Sequence, residues 1–154
     1  MDALTHSDSI VIARPPEEVY DMVSDVTRMG EWSPVCKACW WEEGDGPHVG
    51  AIFTGRNETP ERTWEMKNKV TAADRGSEFA WEVQGTHARW GYTFEPVDGG
   101  TAVTERWELP AEGIAFFEDR FGPDAAPQIS ARQEAAISGM KETLAAIKRA
   151  AEAG

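Results

Sequence analysis

Glu105 lies two positions from Val103 and two from Trp107. Strand alternation therefore puts a carboxyl on the same face as a valine and a tryptophan, if no bulge intervenes. A carboxylate on an apolar face is costly to ionise unless it is paired, so its pKa rises. A carboxylic acid still protonated near neutral pH is what general-acid catalysis uses. The plain alternative is a carboxylate held by an arginine or a main-chain donor, or one at a wet rim. Asn68 falls between Met66 and Val70 on the same alternation, and Tyr92 falls between Trp90 and Phe94. A buried amide orients a ligand carbonyl or hydroxyl, or is simply satisfied within the core. Glu105, Asn68 and Tyr92 are the candidate catalytic residues. Asn57 points inward by alternation from Phe53 and Gly55. Gly55 either leaves room for a guest or marks a bend.

Other reactive patterns are weak. Cys36-Lys37-Ala38-Cys39 is a C-x-x-C. It enters a predicted strand, where positions i and i+3 face opposite ways, so the two thiols are expected to stay reduced as small side chains. His6, His48 and His87 are scattered, without metal-ligand spacing, and no metal or cofactor is expected. There is no G-x-S-x-G elbow and no glycine-rich phosphate loop.

Around these groups the chain places rings. Seven tryptophans occur in 154 residues. Trp64 and Met66 alternate with Glu65 and Lys67; Phe79, Trp81 and Val83 with Ala80 and Glu82; Trp90, Tyr92 and Phe94 with Gly91, Thr93 and Glu95. One face of a sheet is thus aromatic and the other meets water. One helix does not readily fill the hollow of such a face, so the interior is either solid with rings or holds a guest. The expected lining of one continuous pocket is Trp32, Phe53, Asn57, Trp64, Asn68, Trp81, Trp90, Tyr92 and Trp107. Phe117, Phe121 and Met140 are expected to close it. Trp40 and Trp41 are adjacent, so one faces in and one out.

The elements that position these groups follow from pattern. Ser7–Ala13 reads as a strand, and Pro15-Pro16-Glu17-Glu18 opens a helix. Asp25 to Trp32 suggests a second short helix, and Val35–Glu42 a strand. After a turn at Gly44-Asp45-Gly46-Pro47 come Val49–Asn57, Thr63–Ala73, Ser77–Val83, His87–Glu95 and Thr101–Leu109, joined by short turn sequences. Ala111–Pro127 reads as a long connection whose Phe117 and Phe121 gate the pocket. From about Gln128 to Ala153, apolar residues recur at three and four positions, with Ile137, Met140 and Leu144 expected to face the sheet. Antiparallel strands with helices gathered on one face make an α+β layout, and residues 1–154 form one domain.

Acids outnumber bases 27 to 15, for a net charge of −12. That excess disfavours nucleic acid and anionic membrane surfaces. No stretch approaches the ~18 apolar residues of a membrane span, and the first residues lack a secretory pattern. A cytoplasmic protein, monomer or homodimer, is expected.

Ile10-Val11-Ile12-Ala13-Arg14-Pro15-Pro16-Glu17-Glu18-Val19-Tyr20 and Trp32-Ser33-Pro34 resemble the start of the START-like helix-grip (SRPBCC) superfamily, in particular its polyketide cyclase/dehydrase branch. Val49–Asn57, Gly99–Glu105 and the Gly139-Met140, Thr143-Leu144, Ile147-Lys148 series are similar to that branch's third strand, final hairpin and closing helix. The resemblance implies a curved antiparallel sheet of six or seven strands gripping a long C-terminal helix. Two short helices follow the first strand, and a ligand cavity lies between sheet and helix. It implies binding of a small hydrophobic molecule, aromatic or polyketide- or lipid-like. The alternatives are an aromatase/cyclase or dehydratase, and a protein-interaction or regulatory module. Family cyclases use pocket arginines; alternation here puts Arg89 and Arg106 on the outer face.

Overall fold

A computed structural model describes residues 3–43 and 46–153; the predicted turn residues Gly44 and Asp45, with Met1, Asp2 and Gly154, lie outside them. Seven strands form one antiparallel sheet: β1 Leu4–Ile12, β2 Cys36–Glu43, β3 Ile52–Thr59, β4 Arg62–Asp74, β5 Glu78–Val83, β6 Arg89–Val97 and β7 Gly100–Leu109. Their spatial order is β1-β7-β6-β5-β4-β3-β2. Strands β2 to β7 are a meander, and β1 pairs along β7 at the far edge. Turns with left-handed glycines connect the central strands, at Gly76 between β4 and β5 and Gly99 between β6 and β7.

Helix α1, Pro16–Val23, follows β1 and buries Val19, Tyr20 and Val23. A 3₁₀ turn, Val26–Glu31, comes next, capped by Asp25, whose carboxylate accepts from the Thr27 amide. The C-terminal third is helical throughout. Helix α2, Ala111–Phe121, runs into a short 3₁₀ turn and then α3, Ala125–Ala153, of 29 residues. The segment read as a loop is therefore a helix. Pro110 precedes its first residue and Pro127 falls in the first turn of α3, both places where proline fits a helix rather than ending it.

Helix α3 buries Ile129, Ala136, Met140, Thr143, Leu144 and Ile147. Met140 and Leu144 face the sheet as expected, but Ile137 does not: it is 37% exposed. The small Ala136, one position back, occupies the stripe where the helix lies over the hollow. The far end of α3 is tied to β1: Lys148 donates to the Val11 carbonyl at 2.8 Å and Glu152 accepts from the Ala13 amide at 2.9 Å.

The outer face carries a ladder of ion pairs, with Arg89 between Glu82 and Glu108, Arg106 beside Glu78, and Arg56 beside Glu65. The inner face carries the rings. Tyr20 of α1 meets Phe79 and Phe94 edge-on, and contacts continue through Trp81 to Phe53 and Trp41. Beneath α1, Tyr20, Phe79 and Phe94 pack together and are buried. Beneath α2 and α3 the interior opens.

Candidate functional site

The open half is a cavity of about 560 Å³. Two rows of directly paired residues cross the inner face of the sheet, and Trp81, Trp90, Trp107, Tyr92 and Glu105 of these rows line the cavity. Trp81, Trp90 and Trp107 stand side by side on β5, β6 and β7. In the next inward row Phe79, Tyr92, Glu105 and Asp8 follow one another across β5, β6, β7 and β1. The register thus seats a carboxyl between a phenol and a second acid.

Glu105 is 4% exposed. Its Oε2 accepts a hydrogen bond from the Tyr92 hydroxyl at 3.3 Å, and its Oε1 is buried without a protein partner. Burial pushes its pKa up to about 8; the Tyr92 bond opposes the shift and the charge of Asp8 adds to it. Glu105 is therefore protonated at neutral pH, and the carboxylic acid has a hydrogen to give. Burial and the neighbouring Glu105 hold the Tyr92 phenol well above its ordinary range, so it stays neutral too.

Asn68 is buried opposite Phe53 and Val83. Its amide nitrogen donates to the main-chain carbonyls of Met66 and Phe53, at 3.2 and 3.4 Å. Those bonds fix the amide against the wall, as expected of a satisfied core residue.

The structure brings the sequence-selected residues together. Trp32, Phe53, Asn57, Trp64, Asn68, Trp81, Trp90, Tyr92, Glu105, Trp107, Phe117, Phe121 and Met140 all border the same cavity. Trp32 is buried in the wall. Phe117 and Phe121 do close one side, but from helix α2, where their rings stack at 5.6 Å, and not from a loop. Trp41 packs against Phe53 behind the wall, and Trp40 lies under Arg56 on the outer side.

Three groups of wall residues escape sequence reasoning. Met29 and Pro34 come from the segment after α1. Cys36 and Cys39 are both buried in the wall, with their sulfurs 3.1 Å apart. The opposite-face expectation fails because the β2–β3 register shifts between Cys36 and Ala38. The third group is Arg62, Arg120 and Arg132, exposed residues of the lining that mark the mouth. Their guanidiniums lie over Trp64, Phe121 and Phe117. Among the described residues no carboxylate pairs with any of the three, and Glu65, also at the mouth, is engaged by Arg56. Desolvation and the charge of Arg62 lower the pKa of Arg132 below the ordinary arginine value. No histidine borders the cavity, and no cluster of three His, Cys, Asp or Glu suited to a metal ion occurs among the described residues.

The family model for polyketide cyclase/dehydrase and lipid transport proteins matches residues 4–152. No curated protein matches the chain in sequence. The solution structure of the Polyketide_cyc-like protein Cgl2372 from Corynebacterium glutamicum is similar at 51% identity and a TM-score of 0.72, over 97% of this chain and 92% of that one. The di-domain ARO/CYC StfQ from the steffimycin biosynthetic pathway superposes at a TM-score of 0.76 and 14% identity, over 99% of this chain and 51% of that one. Ara h 8.0201 superposes at 0.63 and 14% identity, over 99% of both chains. At such identities the last two speak for the fold. No helix among the described residues is long and apolar enough to cross a membrane.

Proposed function

We propose that this chain, which belongs to the polyketide cyclase/dehydrase and lipid transport family, binds a flat aromatic or polyketide-like molecule that carries an acidic group. The observation behind this reading is the division of the cavity into an apolar floor and a cationic mouth. Trp81, Trp90 and Trp107 offer ring faces to a planar guest, and Arg62, Arg120 and Arg132 offer unpaired charge where such a guest meets solvent. In a chain of net charge −12 a local excess of positive charge is selective for an anionic end. Protonated Glu105 supplies one hydrogen-bond donor at depth, suited to a carbonyl or quinone oxygen.

A second reading, dehydration or cyclisation, draws on the same acid: a neutral carboxyl can protonate a departing hydroxyl. Such a reaction also needs a proton taken. No histidine borders the cavity, and Tyr92 is held neutral. Binding is therefore the reading preferred. An interaction module is disfavoured by the outer face, where ion pairs rather than apolar side chains meet water.

Native mass spectrometry of freshly purified protein tests the reading, together with titration by 1-anilinonaphthalene-8-sulfonate followed through tryptophan emission. Saturable one-to-one quenching is expected. Absence of both quenching and co-purifying small molecules would sink it.

A further inference from the structure

We propose that Cys36 and Cys39 are a redox-active dithiol in the cavity wall, which closes to an intrachain disulfide by exchange with a small-molecule disulfide entering through the cavity. In a regular strand these two side chains would face opposite sides of the sheet. The shift in register between Cys36 and Ala38 removes that separation, and the sulfurs meet at 3.1 Å. A disulfide then needs them to approach by only about 1 Å.

The opposite strand is cut to fit. Gly55 of β3 pairs directly with Cys39, and a Cβ there would lie 3.3 Å from each sulfur. Any larger residue would crowd the pair, so the glycine clears a seat for two sulfurs at once. The Met29 thioether, 3.7 Å from the Cys39 sulfur, completes a soft, apolar surround. Neither thiol is open to bulk solvent, each being 7% exposed, yet both border the cavity. A reagent small enough to enter the cavity thus reaches them while a large one does not.

The pair is also asymmetric. The hydrogen bond shared with Cys39 lowers the pKa of Cys36, whereas that of Cys39 is raised by its bond to Cys36 and by burial. Cys36 is accordingly the attacking sulfur. Its thiolate attacks one sulfur of the incoming disulfide and expels the first thiolate, leaving a mixed disulfide. Cys39 then loses its proton and attacks the Cys36 sulfur, expelling the second. Two protein thiols and one small disulfide become one protein disulfide and two small thiols.

The proposal uses the cavity as a route of access and does not depend on which guest the cavity holds. Folded full-length protein incubated with 2-hydroxyethyl disulfide, with intact mass and free thiols followed over time, tests it. The wild type should lose two hydrogens and both free thiols, and dithiothreitol should restore them. Cys39→Ser should instead retain one mercaptoethanol on Cys36, and Cys36→Ser should react at least about tenfold more slowly. Prior saturation with 1-anilinonaphthalene-8-sulfonate should slow closure. Persistence of both free thiols, or adducts that never resolve to a disulfide, overturns the proposal on wild-type protein alone, whatever the variants do. Equal rates for the two variants overturn the order of attack, and closure unaffected by a filled cavity overturns the route.

Discussion

Asp8 on β1 and Glu105 on β7 are direct partners in the sheet register, two acids side by side. Tyr92 flanks Glu105 from the other side. Burial keeps the proton on Glu105, the charge of Asp8 reinforces it against the opposing Tyr92 bond, and Asp8, half-buried at the edge of the sheet, is the acid nearer to water.

That placement makes stability fall as pH rises. The folded pKa of Glu105, about 8, is above the ordinary value of 4.5, so between these values the folded state holds a proton that the unfolded chain releases. The contribution is fully present below about pH 4.5 and is lost through pH 8, at up to about 1.4 kcal/mol per pH unit. Glu105→Gln cannot ionise. Its Tm should be close to that of the wild type at pH 5, and higher above pH 8. Parallel melting curves across that range check this; identical pH slopes for the two proteins would remove the buried acid.

Trp90 borders the cavity in the tryptophan row, whereas Trp41 packs behind the wall on Phe53. Trp90→Ala should weaken binding of an aromatic ligand by about tenfold, the loss of a stacking face and its buried area. Trp41→Ala should change it by less than about twofold at equal folded fraction. Fluorescence titration of both variants checks the ranking, which a reversed order would refute.

The arginine mouth should tell charged from neutral guests. Arg132→Ala is expected to weaken 1-anilinonaphthalene-8-sulfonate by about three- to tenfold and to flatten its dependence on salt. The uncharged N-phenyl-1-naphthylamine should bind the variant as it binds the wild type. Equal losses for both probes would mean that Arg132 acts through packing on Phe117 rather than through charge.

Helix α3 provides a test of rotation. Met140 is 1% exposed and Ile137 37% exposed, three positions apart. Met140→Ala should cost about 2–3 kcal/mol, toward the low end for a buried methionine because part of its surface borders the cavity. Ile137→Ala should cost less than about 1 kcal/mol. Urea denaturation separates the two, and comparable losses would argue for a different rotation of the helix.

Much of this was legible from alternation. The inward rings of β5, β6 and β7 and the position of Glu105 follow from a period of two, because the register there is unbroken. Where the period breaks, sequence carries no warning. Nothing in Cys36-Lys37-Ala38-Cys39 announces the bulge that turns both thiols inward. Helix α2 was hidden by Gly113, Gly122 and Pro127, which signal loops until packing decides otherwise. Gly113 is there for space, since a Cβ would fall 2.5 Å from the Thr86 carbonyl oxygen. The mouth arginines were invisible for a related reason. Arg62, Arg120 and Arg132 come from a strand start, one helix end and another helix, and only the tertiary fold brings them round one opening.

Of the strands among the described residues, β1 is made first and pairs with β7, the last one made. Ile10 therefore waits for Val103, and Leu4 for Leu109, across nearly the whole chain. Such distant pairings are slow to form. During synthesis the meander from β2 to β6 can assemble strand by strand, while β1 and the growing edge of the sheet both stay unpaired. A ribosome that stalls before Leu109 thus holds a nascent chain with two unsatisfied strand edges and a bare floor of tryptophans. In this protein a translational pause near the end of the sheet is an aggregation hazard.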